Sequence, residues 1–139
     1  MRLLVVDDNP LVRGRVVEAV RAIPGVAAVA EAPGAVEALA TIAAARPDLV
    51  VLDLALGAGP TGFDVLDALR RDRLAPRVIV LSNHADETFR RRARAMGATA
   101  VFDKSRQFQG ALDAIEVLAR SFRQDNGNGE SRPNAPPGL

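Results

Sequence analysis

The side chains able to do chemistry each follow a short aliphatic run. Asp7-Asp8 follows LLVV, Asp53 follows LVVL, Ser82 follows VIVL, and Asp103-Lys104 follows AVF. Carboxylates brought together repel one another unless a cation sits among them. Oxygen donors without His or Cys select a hard divalent ion, Mg²⁺ being the usual one. Mg²⁺ keeps several waters, so two side chains and a backbone carbonyl suffice to hold it, and positions remain for phosphoryl oxygens. A lysine supplies a second compact positive charge, and a serine hydroxyl can donate to a phosphoryl oxygen. The set suits phosphoryl transfer to a carboxylate, where catalysis is mostly positioning and charge neutralisation. Taken singly, each residue is also ordinary. Acids at a strand end favour the start of the next helix, and serine commonly opens a loop. The weight lies in the conjunction.

Composition removes most other chemistries. The chain has 139 residues, one domain's worth, and its 18 Lys+Arg nearly balance 17 Asp+Glu. A nucleic-acid-coating protein needs a large basic excess, and aromatics are only 4%, so nucleic acid is not expected as a partner. Absence of Cys excludes disulfides, thiolate metal sites and a Cys nucleophile, and the lone His84 cannot build a His-based zinc site. No apolar run approaches the roughly 20 residues of a membrane span, and MRLLVVDD is not a signal peptide. The expectation is a cytoplasmic protein without a membrane partner. Among the 18 basic residues only Lys104 is a lysine.

The elements that must position these groups alternate between strand and helix. Residues 3–6, 49–52, 78–81 and 99–102 read as strands, with a weaker one at 26–30 ending in Glu31. Strands apolar throughout are the pattern of a sheet covered on both faces. Asn9 and Pro10 open a first helix with Val12, Val16, Val20 and Ile23 on one stripe. Pro33 opens a second, with Val36, Leu39, Ala40 and Ala43 as its apolar face. A third carries Phe63, Leu66 and Leu69. A fourth, near 85–95, turns Phe89 inward and a run of arginines outward. A fifth runs from Phe108 to Phe122. Residues 123–139 hold three Gly and three Pro with few aliphatics, and read as a disordered tail after a domain of residues 1–122. Five strand–helix units imply a doubly wound parallel sheet with helices on both faces, and open sheets of this kind bind ligands at the strands' C-terminal edge.

VVDD, LVVLDL, VIVLS and GATAVFDKS, in that order and at that spacing, resemble the receiver domain of two-component response regulators, here of the stand-alone type. The resemblance covers about residues 2–122. It implies a flavodoxin-like fold with strand order 2-1-3-4-5. It further implies Asp53 as phospho-acceptor, Lys104 pairing with the phosphoryl group, and Ser82 hydrogen-bonding it. Mg²⁺ would be held by Asp8 directly, Asp7 mainly through water, Asp53 and the carbonyl of Ala55. The implied donor is a sensor histidine kinase or histidine phosphotransfer protein. The implied readout is a downstream protein target at the surface of the fourth helix, fifth strand and last helix, with a homodimer possible. Such a receiver catalyses only its own phosphorylation and dephosphorylation.

Three departures stand out. Ser105 replaces the proline that usually follows the lysine. Val101 stands where an inward-turning aromatic is usual, and Phe102 beside it faces the other side of the sheet. The loop after Asp53 reads LALGAGPTG and is longer. Val101 and Ser105 favour an alternative, a pseudo-receiver that binds partners constitutively. His84, two past Ser82, reads either as a solvated loop residue or as a modulator of phosphoryl lifetime. Arg90, Arg91, Arg92 and Arg94 read as a solvated face or a docking surface for an acidic partner. Residues 57–62 fit G-x-G-x-x-G, but Asp53 occupies the strand end a pyrophosphate would need, so no dinucleotide site is expected.

Overall fold

The structure, a computed structural model, describes residues 1–73 and 75–129, with side chains through residue 125. Five strands, β1 (Arg2–Val6), β2 (Ala28–Ala32), β3 (Leu49–Leu52), β4 (Arg77–Ser82) and β5 (Ala100–Asp103), alternate with five helices, α1 (Pro10–Arg21), α2 (Ala35–Ala45), α3 (Gly62–Leu69), α4 (Glu87–Ala95) and α5 (Phe108–Gly129). The strands form one parallel sheet in the order β2-β1-β3-β4-β5, as expected. The inner strands are buried on both faces because each face carries helices.

Alternation along each strand divides the core in two. Leu4, Val6, Val50, Leu52, Val78, Val80 and Val101 face α2, α3 and α4. Leu3, Val5, Leu49, Val51, Ile79 and Leu81 face Val16, Val17 and Val20 of α1 and Ala111, Ile115 and Ala119 of α5. Asn9 caps α1, its side chain accepting from the N–H groups of Leu11 and Val12, with Pro10 at the first helical position. Among the described residues no helix is long and apolar enough to cross a membrane.

Three expectations are corrected in detail. The second strand lies at Ala28–Ala32, so Glu31 sits inside it opposite Val5 rather than at its end. The Ala27 N–H turns instead to the carbonyl of Met1 at 2.8 Å, which sets the register. Helix α2 does not bury Val36, Ala40 and Ala43; it buries Ala35, Ala38 and Ile42, and Val36 is 67% exposed. Nearly every position of this helix is aliphatic, so periodicity alone does not select its face, and small alanines let it lie close on the sheet. Helix α5 continues from Phe122 to Gly129, so the backbone stays helical where a disordered tail was expected. Once a helix is established each further residue adds a hydrogen bond at low cost. Residues 130–139 lie outside the described residues.

The face chosen by α2 is directly testable. Ala38 is fully buried, so Ala38→Leu should lower unfolding free energy by about 1–3 kcal/mol through overpacking. Val36→Ala should change it by less than about 0.5 kcal/mol. Denaturant unfolding checks both, and the opposite ranking would put the helix in the other register.

Candidate functional site

Backbone hydrogen bonds that continue the sheet past its last apolar residues bring the polar groups together. The Asp7 N–H donates to the Ala32 carbonyl, the Asp53 N–H to the Val6 carbonyl, and the Lys104 N–H to the Ser82 carbonyl, at 3.0–3.2 Å. Parallel pairing of β1 with β3 and of β4 with β5 sets the strand ends side by side. Asp7, Asp8, Asn9, Asp53, Ala55, Gly57, Asn83, His84 and Lys104 thus line one open cleft at the C-terminal edge.

Within it, the Lys104 ammonium donates to Asp7 Oδ2 at 2.5 Å and to Asp53 Oδ2 at 2.8 Å. The Ser82 hydroxyl donates to Asp53 Oδ1 at 2.7 Å, and the Ala55 N–H donates to the same oxygen at 3.1 Å. Asp7 Oδ1 accepts from the Asn9 N–H, so one carboxylate is tied to the start of α1 and to the lysine. Asp7, Asp53 and Ser82 are 3%, 7% and 0% exposed, whereas Asp8 is open to solvent. Burial is the largest influence on the Lys104 ammonium and acts to lower its pKa. The hydrogen bonds and charges of Asp53 and Asp7 outweigh it and hold the group above its ordinary value.

The donor set fits a hard cation. Asp7, Asp8 and Asp53 each offer a carboxylate oxygen, and these oxygens lie within 4.8 Å of one another. Three carboxylates against one ammonium leave two negative charges uncompensated, which is the charge of one divalent ion. Ala55 lines the same cleft.

Close approach of the backbone completes the cleft. A Cβ on Gly62 would lie 2.4 Å from the Asp53 carbonyl oxygen and 2.7 Å from Leu54 Cα, so only glycine lets α3 begin against the acidic strand end. Thr61 and Asp64 form a capping box that starts α3 at that point.

Two of the departures have structural answers. The Ser105 hydroxyl and N–H both donate to Asp103 Oδ1, at 2.7 and 2.9 Å, and the Arg106 N–H joins them at 3.0 Å. The Ser105 hydroxyl foremost, then these amides, hold the Asp103 carboxyl below its ordinary value. A proline would lack the Ser105 N–H. Val101 is buried on the α4 side of the sheet, and Phe102 packs on the α5 side, 3.6 Å from the position of a Cβ on Gly110. The His84 N–H donates to the Ser82 hydroxyl at 3.1 Å, and its ring meets Phe89 edge-on at 6.0 Å.

Two arginines that composition could not single out also bear on the cleft. Arg13 Nη1 donates to the Asp7 carbonyl at 2.8 Å while its Nε pairs with Glu31. Arg90 donates to the carbonyls of Ala85 and Val101. Nothing in the sequence marks the reach of either side chain, beyond the fact that Arg90 sits at the inner end of an arginine run.

Similarity to known proteins spans the stretch of chain that holds these residues. A family model for the response regulator receiver domain matches residues 3–116. The chain is 29% identical over 119 residues to the nitrate/nitrite response regulator protein NarL of Escherichia coli strain K12, covering 84% of this chain and 54% of that protein. It is 32% identical over 124 residues to the methanol utilization control regulatory protein MoxX of Paracoccus denitrificans, covering 86% and 54%. The chain thus spans about half the length of these curated relatives. The crystal structure of a two-component response regulator of the LuxR family from Aurantimonas sp. SI85-9A1 superposes with a TM-score of 0.78 at 33% identity, covering 86% and 85% of the two chains. The response regulator domain of Thermotoga maritima CheB shares the fold, with a TM-score of 0.76 at 22% identity over 87% and 94%.

Lys104 gives the cleft an unusually clean pH probe. The chain has one lysine and no Tyr or Cys, so no other side chain changes charge between about pH 9 and 12. Its folded pKa lies above the unfolded value of 10.5. Its contribution to stability is therefore complete below the unfolded value and is lost as pH rises through the folded one. Denaturation midpoints should hold steady up to the ordinary lysine range and then fall. Lys104→Met should start less stable and show no such fall. Pairing of Lys104 with the two acids is rejected if the wild-type midpoint is flat across this range.

Proposed function

The chain belongs to the response regulator receiver family of two-component systems, and on that premise we propose that it accepts a phosphoryl group on Asp53. The observation that carries the reading is the treatment of that one carboxylate. Its two oxygens are held separately, one by the Ser82 hydroxyl and the Ala55 N–H, the other by the Lys104 ammonium, in a cleft with two further acids. In this reading an oxygen of Asp53 attacks phosphorus as the bond from phosphorus to the donor's imidazole nitrogen breaks, and the imidazole leaves with its electron pair. The donor is a phosphohistidine on a sensor kinase or a phosphotransfer protein, which places the chain in the cytoplasm with it. Lys104 exchanges a carboxylate for a phosphoryl oxygen, and Ser82 donates to another.

Asp8, Asp53 and the Ala55 carbonyl would hold Mg²⁺ directly, with Asp7 mainly through water. The ion supplies charge neutralisation at the phosphoryl oxygens. Reversal is hydrolysis: water attacks phosphorus, the acyl phosphate bond breaks, and the Asp53 carboxylate returns with release of inorganic phosphate. The readout is a protein target, or a second copy, at the surface of α4, β5 and α5.

Intact-mass measurement after incubation with acetyl phosphate tests the assignment. A phosphoryl adduct should form on wild type, require Mg²⁺, and be absent from Asp53→Asn. An Asp53→Asn protein that still labels, or a wild type that labels neither from acetyl phosphate nor from a phosphohistidine donor, defeats it, and the latter favours the constitutive binding module. His84 faces the cleft beside Ser82, so His84→Ala should change the decay rate of the adduct several-fold. Equal decay for the two proteins would leave His84 an ordinary loop residue.

A further inference from the structure

Arg90 differs from its neighbours on α4. The Arg92 guanidinium covers the Phe63 ring at 4.0 Å, and Arg91 pairs with Glu87 at the surface. Arg90 instead runs along the end of β5 and engages three segments at once. Its Nε donates to the Ala85 carbonyl at 2.6 Å, its Nη1 to the Val101 carbonyl at 2.7 Å, and its Nη2 to Gln107 Oε1. The same Gln107 oxygen accepts the Asp103 N–H at 2.9 Å. One guanidinium therefore joins the loop between β4 and α4, strand β5, and the turn leading to α5. Its planar fork of donors suits it to this in a way that a lysine's point charge is not.

Each of those segments leads to a group that contacts the phosphoryl in the reading above. Ser82 ends β4, the His84 N–H donates to its hydroxyl, and Ala85 is the next residue. Lys104 directly follows Asp103, whose N–H rests on Gln107. The Ala85 carbonyl thus lies three residues past Ser82, and Gln107 three residues past Lys104, so the Arg90 guanidinium is bonded one short loop away from each. Val101 is short and buried, so its own side chain cannot swing between core and surface. Among the described residues, Arg90 is the side chain bonded to both loops.

We propose that Arg90 is the positioning residue through which the state of Asp53 reaches the α4–β5–α5 surface. In the arrangement seen here it holds α4 against β5. Displacement of the loop after Ser82 breaks the bond from Nε to Ala85 and turns the guanidinium, so that its bond to the Val101 carbonyl is lost as well and α4 is released from β5. This rests on the receiver reading, and deepens it by naming the element that replaces an aromatic at position 101.

The test is two-dimensional ¹H–¹⁵N NMR of the full chain with and without beryllofluoride and Mg²⁺, a phosphoryl mimic. Without it, the Arg90 Nε–H should be protected from solvent exchange. With it, that protection should be lost while the amides of α4 shift. In Arg90→Lys the amides of Ala55 and Asn83 should still respond, and the α4 response should be lost. Gln107→Ala removes one arm and should give an intermediate α4 response, which also serves if Arg90→Lys does not fold. An Arg90 Nε–H unchanged while the cleft amides respond overturns the proposal, as does an α4 response in Arg90→Lys equal to wild type. No response at Ala55 or Asn83 in wild type overturns the receiver reading, and this proposal with it.

Discussion

Asp7 and Asp53 are almost sealed from water and share the ammonium of Lys104. Two buried carboxylates this close are tenable only because a cation lies between them, and removing one partner of such a group typically costs about 3–5 kcal/mol. The sheet edge is organised around that requirement. Lys104 follows the last residue of β5, an outer strand, yet reaches the acids that directly follow β1 and β3. Its backbone N–H is pinned to Ser82, so the aim of the side chain is set by the pairing of β4 with β5.

The fold supplies the rest by ordinary means. Continuous aliphatic runs bury both faces of the inner strands, so polar residues can appear only where a strand ends. A parallel sheet then puts all those ends on one edge. Helix starts fix the details: Asn9 caps α1 beside Asp7, and Gly62 lets α3 begin in contact with the Asp53 backbone. Lys104 balances only part of the acid charge, and the remainder is what suits the cleft to a divalent cation.

Much of this was legible in the sequence because strand pattern and chemistry coincide there. Asp53 after LVVL is both a strand end and a carboxylate of the cleft, and one reading supports the other. Less was legible where pattern is degenerate. Helix α2 is aliphatic on nearly every side, so its buried face depends on which alanines fit the sheet rather than on periodicity. The register of β2 is settled by the Ala27 N–H finding the Met1 carbonyl, a contact between residues far apart in the chain. Arg90 appeared only as part of a charged run, since its significance lies in three carbonyl-type acceptors drawn from different segments. The substitution at 105 was visible, but the hydrogen bonds that Ser105 makes to Asp103 were not.

The near-absence of lysine has a consequence for covalent modification. Acylating metabolites and reducing sugars react with amines and leave guanidinium groups charged. In this chain the amines are the Lys104 side chain and the Met1 amino group, and the latter donates to the Gly25 carbonyl at 2.7 Å. The arginine surface keeps its charge whatever the acyl load around it. Any acylation of a side-chain amine lands instead between Asp7 and Asp53, where it abolishes the one cation that both share. For this protein, modification of a side-chain amine and the acidic cleft are a single chemical address.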